Sequence, residues 1–215
     1  MMNGRPVLWN GKDLELEWAR PEPEIPMYVA GYGPRALRVA GRVGDGVVIQ
    51  LADPEITKWI IDRAKAAAVE AGRDADAFAP VVCAPAVVDG DLDRWREETR
   101  WFPAMVSNHV KDLIARYGTD GEIPTALTEF AQAVEEYDYQ DHSRVGAEHG
   151  KYISDEICDR FCILGERDAH LEKLRELEAL GVKQVNLYLM TTDFETTLER
   201  YGKEIIPEFE PTPVA

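Results

Sequence analysis

The 215-residue chain has no apolar run approaching the ~20 residues that a bilayer span requires, and no basic block. It holds 24 Lys plus Arg against 40 Asp plus Glu, a net charge of -16. That balance argues against nucleic acid or an anionic membrane as the main partner. The opening residues MMNGRPVLWNGKD have neither a basic start nor an apolar centre, so no signal peptide is expected there. Cysteine is scarce: Cys83, Cys158 and Cys162 form no CxxC pair, which excludes a disulfide framework and a thiolate zinc site. Cys158 and Cys162 share a helical face and are read as buried thiols, which fits a reducing, cytoplasmic setting. His142 and His149 are separated by a polar stretch, so no metal site is expected.

What is present is an alternation of apolar strands and amphipathic helices. Asn10-Gly11 between Val7-Leu8-Trp9 and the Leu14-to-Trp18 run predicts a hairpin, because both turn residues tolerate positive φ. The hairpin and a proline-rich connector occupy roughly residues 1–20, with Pro21, Pro23 and Pro26 leading into a strand over Met27 to Ala30. A helix from about Pro34 to Val43 and a strand from Gly46 to Leu51 follow. Asp53-Pro54-Glu55 supplies an N-cap, a first-turn proline and an acid for the next helix, which Gly72 stops. The run from Pro80 to Val88 reads as a strand, with Pro85 placing its far half at an edge or bend. Residues 92–163 show no clear strand and read as a helical insertion. A helix carrying Leu171, Leu174, Leu177 and Leu180, a strand from Val185 to Met190 and a helix from Phe194 to Ile206 complete the pattern. The tail EFEPTPVA reads as frayed.

This is an α/β chain with a parallel sheet, one domain over residues 1–215. It has about four strand–helix units, whereas a closed eight-stranded barrel takes about 250 residues, so the sheet is open or strands are missing.

The turn Gly31-Tyr32-Gly33-Pro34-Arg35-Ala36 joins strand to helix. Unpaired amides and the positive end of the dipole make such a turn an anion site, and Arg35 adds a fork of donors. Tyr32 could stack on a ring or a ribityl chain. The same turn fits G-x-G-x-x-A, with Asp53 about twenty residues on, as in a dinucleotide fingerprint of a Rossmann-like NAD(P) domain. Asp53 is also explained as a helix cap, and the turn as a turn without any ligand.

As an ordered set, IPMYVAGYGPRALRVAGRVGDGVVIQLADP, RWFPAMVSNHV, DEICDRFCILG and LEKLRELEALGVKQVNLYLM resemble the luciferase-like oxidoreductases that use flavin or the deazaflavin F420. The resemblance implies the C-terminal half of a luciferase-like (β/α)8 TIM barrel, strands five to eight, with coenzyme F420 or FMN as cofactor. It implies a cofactor phosphate site at Ala30, Gly31, Tyr32, Gly33, Arg35 and Ala36, with Gln50 near cofactor or substrate. In a full barrel the insertion closes over a small-molecule substrate, which makes Trp101 and His109 the substrate candidates; Trp95, Trp101 and Phe102 also suit the insertion's own core. The family's acid–base groups come from the first four strands, so no catalytic residue is named. The alternative is a non-catalytic half barrel whose open edges are covered by a second copy, as a homo-oligomer, or by a separate N-terminal half.

Overall fold

The computed structural model describes residues 6–18, 22–117, 139–141 and 144–209. Expectations for the first five residues, for Pro21, for His142, for the insertion over 118–138 and for the tail beyond 209 lie outside the described residues.

The hairpin forms as the Asn-Gly pair requires. β1 (Val7–Trp9) runs antiparallel to β2 (Lys12–Leu14), with φ of 49° at Asn10 and 76° at Gly11. The chain then enters β3 (Tyr28–Ala30), α1 (Pro34–Val43), β4 (Gly46–Ile49), α2 (Pro54–Glu70) and β5 (Ala79–Val88). The insertion supplies α3 (Leu92–Thr99), α4 (Trp101–Tyr117), two 3-10 turns and α5 (Asp155–Phe161). β6 (Ile163–Gly165), α6 (Arg167–Ala179), β7 (Gln184–Tyr188) and α7 (Phe194–Arg200) follow, the last continuing as a π turn over Tyr201–Ile205 and a 3-10 turn over Ile206–Glu208.

Strands β3, β4, β5 and β7 are parallel neighbours in chain order, and β6 adds to the far end of β5. This is a partial parallel sheet with helical insertions, consistent with part of an α/β barrel. The sheet has five strands where about four were expected. β6 escapes sequence reading because it is three residues long and directly follows the apolar spacing of α5.

Pro85 belongs to a strand with neighbours on both sides, yet at its own position and over the far half only one neighbouring strand is paired. It lies inside central β5, opposite Tyr188 of β7, where pairing with β4 has ended at Val82 and pairing with β6 begins at Ala86. In that handover the missing N–H removes no bond to either strand.

One face of the sheet is covered by helices. Val47 and Ile49 of β4 and Val82 and Ala84 of β5 join Leu37, Ile56, Ile60, Leu174 and Leu177 in one core. α1 and α2 approach closely because position 41 is glycine; a Cβ there would sit 2.1 Å from the Ala64 carbonyl oxygen. The opposite face is more polar, since the strand register aligns Val48 with Val81 and Gln184, Cys83 with Asn186, and Pro85 with Tyr188. Among the described residues β3 and β7 pair on one side only, so each leaves an edge. No helix among them is long and apolar enough to cross a membrane.

Candidate functional site

The Gly-rich turn sits where β3 ends and α1 begins. Gly31 cannot be replaced without movement, because a Cβ there would lie 2.8 Å from the Ala36 Cβ. Gly33 is the N-cap, makes no side-chain cap bond, and is followed by Pro34. The first intrahelical bond runs from Leu37 N to the Gly33 carbonyl, 3.0 Å. The Ala36 amide ahead of it belongs to the first turn, where helix geometry provides no carbonyl partner. α1 has no acid in its first turn, whereas α2, α3, α5, α6 and α7 each carry one. The start of α1 is therefore left positive while most other helix starts are neutralised from within. Ala30, just before the turn, is exposed, and so is Arg35 in that first turn.

Tyr32 turns inward and is 7% exposed; its hydroxyl donates to the Gln50 backbone carbonyl at 3.2 Å. Its ring lies 6.1 Å from that of His109 on α4. Gln50, one residue past β4, donates from Nε2 to the Tyr188 hydroxyl at 3.4 Å. The Tyr188 ring meets Phe102 edge-on at 5.8 Å, and Phe102 meets Trp101 at 5.7 Å. Below Tyr188, Asn186 Nδ2 donates to Cys83 Sγ at 3.5 Å, and Asn186 Oδ1 accepts from Gln184 Nε2 at 2.5 Å. Burial raises the pKa of the Tyr32 phenol far above its ordinary value, and burial also raises that of Tyr188, so both remain protonated donors.

The two substrate candidates are thus placed differently. His109 faces Tyr32 at the mouth formed by the ends of β3, β4 and β7. Trp101 is 4% exposed, and besides packing on Phe102 it lines a separate cavity of about 350 Å³ with Glu97, Arg100, Ala147, Lys151 and Ile153. Tyr188 and Phe102 complete the mouth without having been singled out as binding groups. For Tyr188 a signal existed: it falls at the C-terminal end of the last apolar strand, where α/β folds collect ligand groups.

Asp53 is committed elsewhere. Oδ1 accepts from the Ile56 amide at 2.8 Å, Oδ2 accepts from Arg160 Nε at 2.6 Å, and the residue is 2% exposed. A ribose hydroxyl would have to displace one of these partners. Among the described residues the strand order also runs without reversal from β3 to β5 and β7, with no switch point of the kind a Rossmann sheet uses.

A partial parallel sheet with a helix start free of acids at the C-terminal ends of its strands is consistent with part of an α/β barrel. Residues 1–184 match the luciferase-like monooxygenase family, and the chain belongs to it. It is 30% identical over 218 residues to the 5,10-methylenetetrahydromethanopterin reductase of Archaeoglobus fulgidus, covering 98% of this chain and 63% of that protein. It is 25% identical to an F420-dependent glucose-6-phosphate dehydrogenase of Microbacterium testaceum, covering 93% of this chain and 56% of the other. Among solved structures, the coenzyme F420-dependent tetrahydromethanopterin reductase of Methanopyrus kandleri superposes with a TM-score of 0.72 at 23% identity, covering 97% of this chain and 60% of that one. That likeness concerns the fold. The chain spans about three-fifths of the length of these relatives.

Proposed function

We propose that this chain is the C-terminal half of a (β/α)8 oxidoreductase of the luciferase-like family and that the start of α1 holds the phosphate of coenzyme F420 or FMN. The observation that carries the reading is the turn from Gly31 to Ala36. Close backbone approach at Gly31, a glycine N-cap, amides in the first turn and no carboxylate beside them fit a phosphate group. Ala30 and Gly31 give the ligand access to the backbone, and Arg35 adds charge to the same end of the helix. Tyr32 fixes the turn against the end of β4, and Gln50 lies one strand further along the mouth. When bound, the cofactor supplies hydride transfer to or from a small-molecule substrate. The chain's own residues position it and exclude water above it through α4, which brings His109 to the mouth.

Fluorescence titration with F420 and with FMN tests the reading. Saturable binding that Gly31→Ala weakens by about tenfold or more is expected, since the added Cβ must push the helix start away from the phosphate. Binding of neither cofactor, or binding indifferent to Gly31→Ala, contradicts it.

The unpaired edges of β3 and β7 favour a further element of the reading: the chain works joined to another half, supplied by a second copy or a separate N-terminal segment. Groups that exchange protons with substrate would come from that half. If the chain only assembles and never turns over, the same edges describe a non-catalytic assembly subunit.

A further inference from the structure

The mouth contains a side chain whose hydrogen-bonding capacity is only partly used and is oriented. Gln50 carries two N–H donors and one carbonyl acceptor. One donor goes to the Tyr188 hydroxyl, and among the described residues Oε1 takes no hydrogen bond. The residue is partly buried, and Tyr188 in turn is seated edge-on against Phe102. A free amide on a surface rotates; this one has a fixed neighbour. What remains is an N–H and a C=O on one planar group, joined to the half-buried ring of Tyr188, which packs on the buried Phe102, and through its own backbone carbonyl to Tyr32, against which the half-buried ring of His109 lies. The groups hydrogen-bonded through this patch, Tyr32, Gln50 and Tyr188, are neutral.

We propose that Gln50, held by Tyr188, is a specificity-determining residue of this mouth and reads an uncharged planar ring through a cyclic –C(=O)–NH– edge. The fit is one of chemistry. A donor–acceptor pair on a side-chain amide matches the acceptor–donor pair of a cyclic amide, and the half-buried rings of Tyr188 and His109 suit contact with a flat ring. An anionic ring finds no cationic partner among these three residues, and a ring without the N–H leaves Oε1 desolvated and unpaired, which sites of this kind reject strongly. The edge has two sources, the pyrimidinedione part of the flavin or deazaflavin itself or a separate cyclic-amide substrate. The proposal rests on the family reading only for the location of the mouth.

The test uses 2-pyridone, which has one such edge, and N-methyl-2-pyridone, which lacks the N–H, each titrated into the intact chain and followed by saturation-transfer NMR. 2-Pyridone is expected to bind at least about tenfold more tightly than its N-methyl analogue. Gln50→Leu should abolish that discrimination, and Tyr188→Phe should reduce it several-fold, with thermal unfolding run in parallel to confirm that both variants are folded. Equal binding of the two probes, no saturable binding of either, or discrimination that survives Gln50→Leu overturns the assignment. Repeating the titration with saturating FMN separates the sources: displacement of 2-pyridone assigns the edge to the cofactor ring, and retention assigns it to a substrate. Loss of FMN binding with Gly31→Ala reports on the phosphate site independently, so the two readings fail separately.

Discussion

Asp53 shows how a residue's neighbours decide between two readings of it. Its position before Pro54 makes it a helix cap, its distance from the Gly-rich turn makes it a ribose acid, and the sequence permits both. Arg160, 107 positions later, settles the matter by taking the second carboxylate oxygen. Asp53→Asn retains the acceptor for the Ile56 amide but removes the nearer of Arg160's two counter-charges, leaving Glu55 Oε2 at 3.5 Å. Arg160 is 36% exposed, so water compensates part of the loss, and the expected destabilisation is about 1 to 2 kcal/mol by urea unfolding. Asp53→Ala removes the cap as well and should cost more. His170, in the first turn of α6, is fully buried: Nε2 donates to the Val87 carbonyl at 3.0 Å, and Nδ1 accepts from the Tyr201 hydroxyl at 2.8 Å. Burial lowers its pKa from 6.5 to about 4. Between those values the unfolded chain binds the proton and the folded chain does not. The neutral imidazole therefore contributes stability that is complete above about pH 6.5, is lost as pH falls toward 4, and amounts to roughly 3 kcal/mol across the window. Urea midpoints from pH 7 to pH 4 should fall less steeply for His170→Gln than for the unmodified chain, and parallel curves would remove His170 from this role.

Elements were legible where a local signal stated them. α1 starts at Pro34 and α2 at Pro54 because a proline at the first helical position and a cap before it are local facts, and the Asn-Gly hairpin is equally local. β6 and the strands beside Pro85 were not legible, because both depend on which strand lies alongside, and pairing between segments 77 residues apart leaves no mark in either one. The mouth is a similar case: the Gly-rich turn announces itself, whereas the Gln50–Tyr188 contact joins residues 138 apart. α5 illustrates how such distant support works. Lys173 of α6 places its ammonium on the carbonyls of Asp159, Arg160 and Cys162 at 2.5, 3.0 and 3.1 Å, closing the C-terminal end of α5 and the entry to β6. A cation at a helix C-terminus opposes the dipole, and three carbonyls depend on this one group. Lys173→Met keeps the aliphatic stem and strands those acceptors, so a loss of about 2 to 3 kcal/mol is expected in thermal or urea unfolding, with faster amide exchange over residues 159–165.

At the scale of the molecule the main physical fact is a sheet whose outer strands are open among the described residues. β3 and β7 run in the same direction with β4 and β5 between them, and each has hydrogen-bonding partners on one side only among the described residues. On the face away from the core, β7 carries Gln184 and Asn186, amides suited to a partner that hydrogen-bonds as well as packs. The N-terminal hairpin adds apolar surface, with Leu8 72% and Trp9 63% exposed, Trp18 69% exposed, and Met27 leading into the β3 edge. Unpaired strand edges and contiguous exposed apolar side chains are removed from water whenever a matching surface exists. Because both edges are parallel to one another, a second parallel α/β unit can pair with each without any strand reversing, and that is the type of partner the fold fits. Sedimentation velocity on the 24.2 kDa chain is therefore expected to show a dimer or larger species. Adding the first four strand–helix units of a relative should convert it to a one-to-one complex with tighter cofactor binding. A well-folded monomer at micromolar concentration, indifferent to that addition, would mean that the edges are stable as they stand and that the assembly reading is wrong.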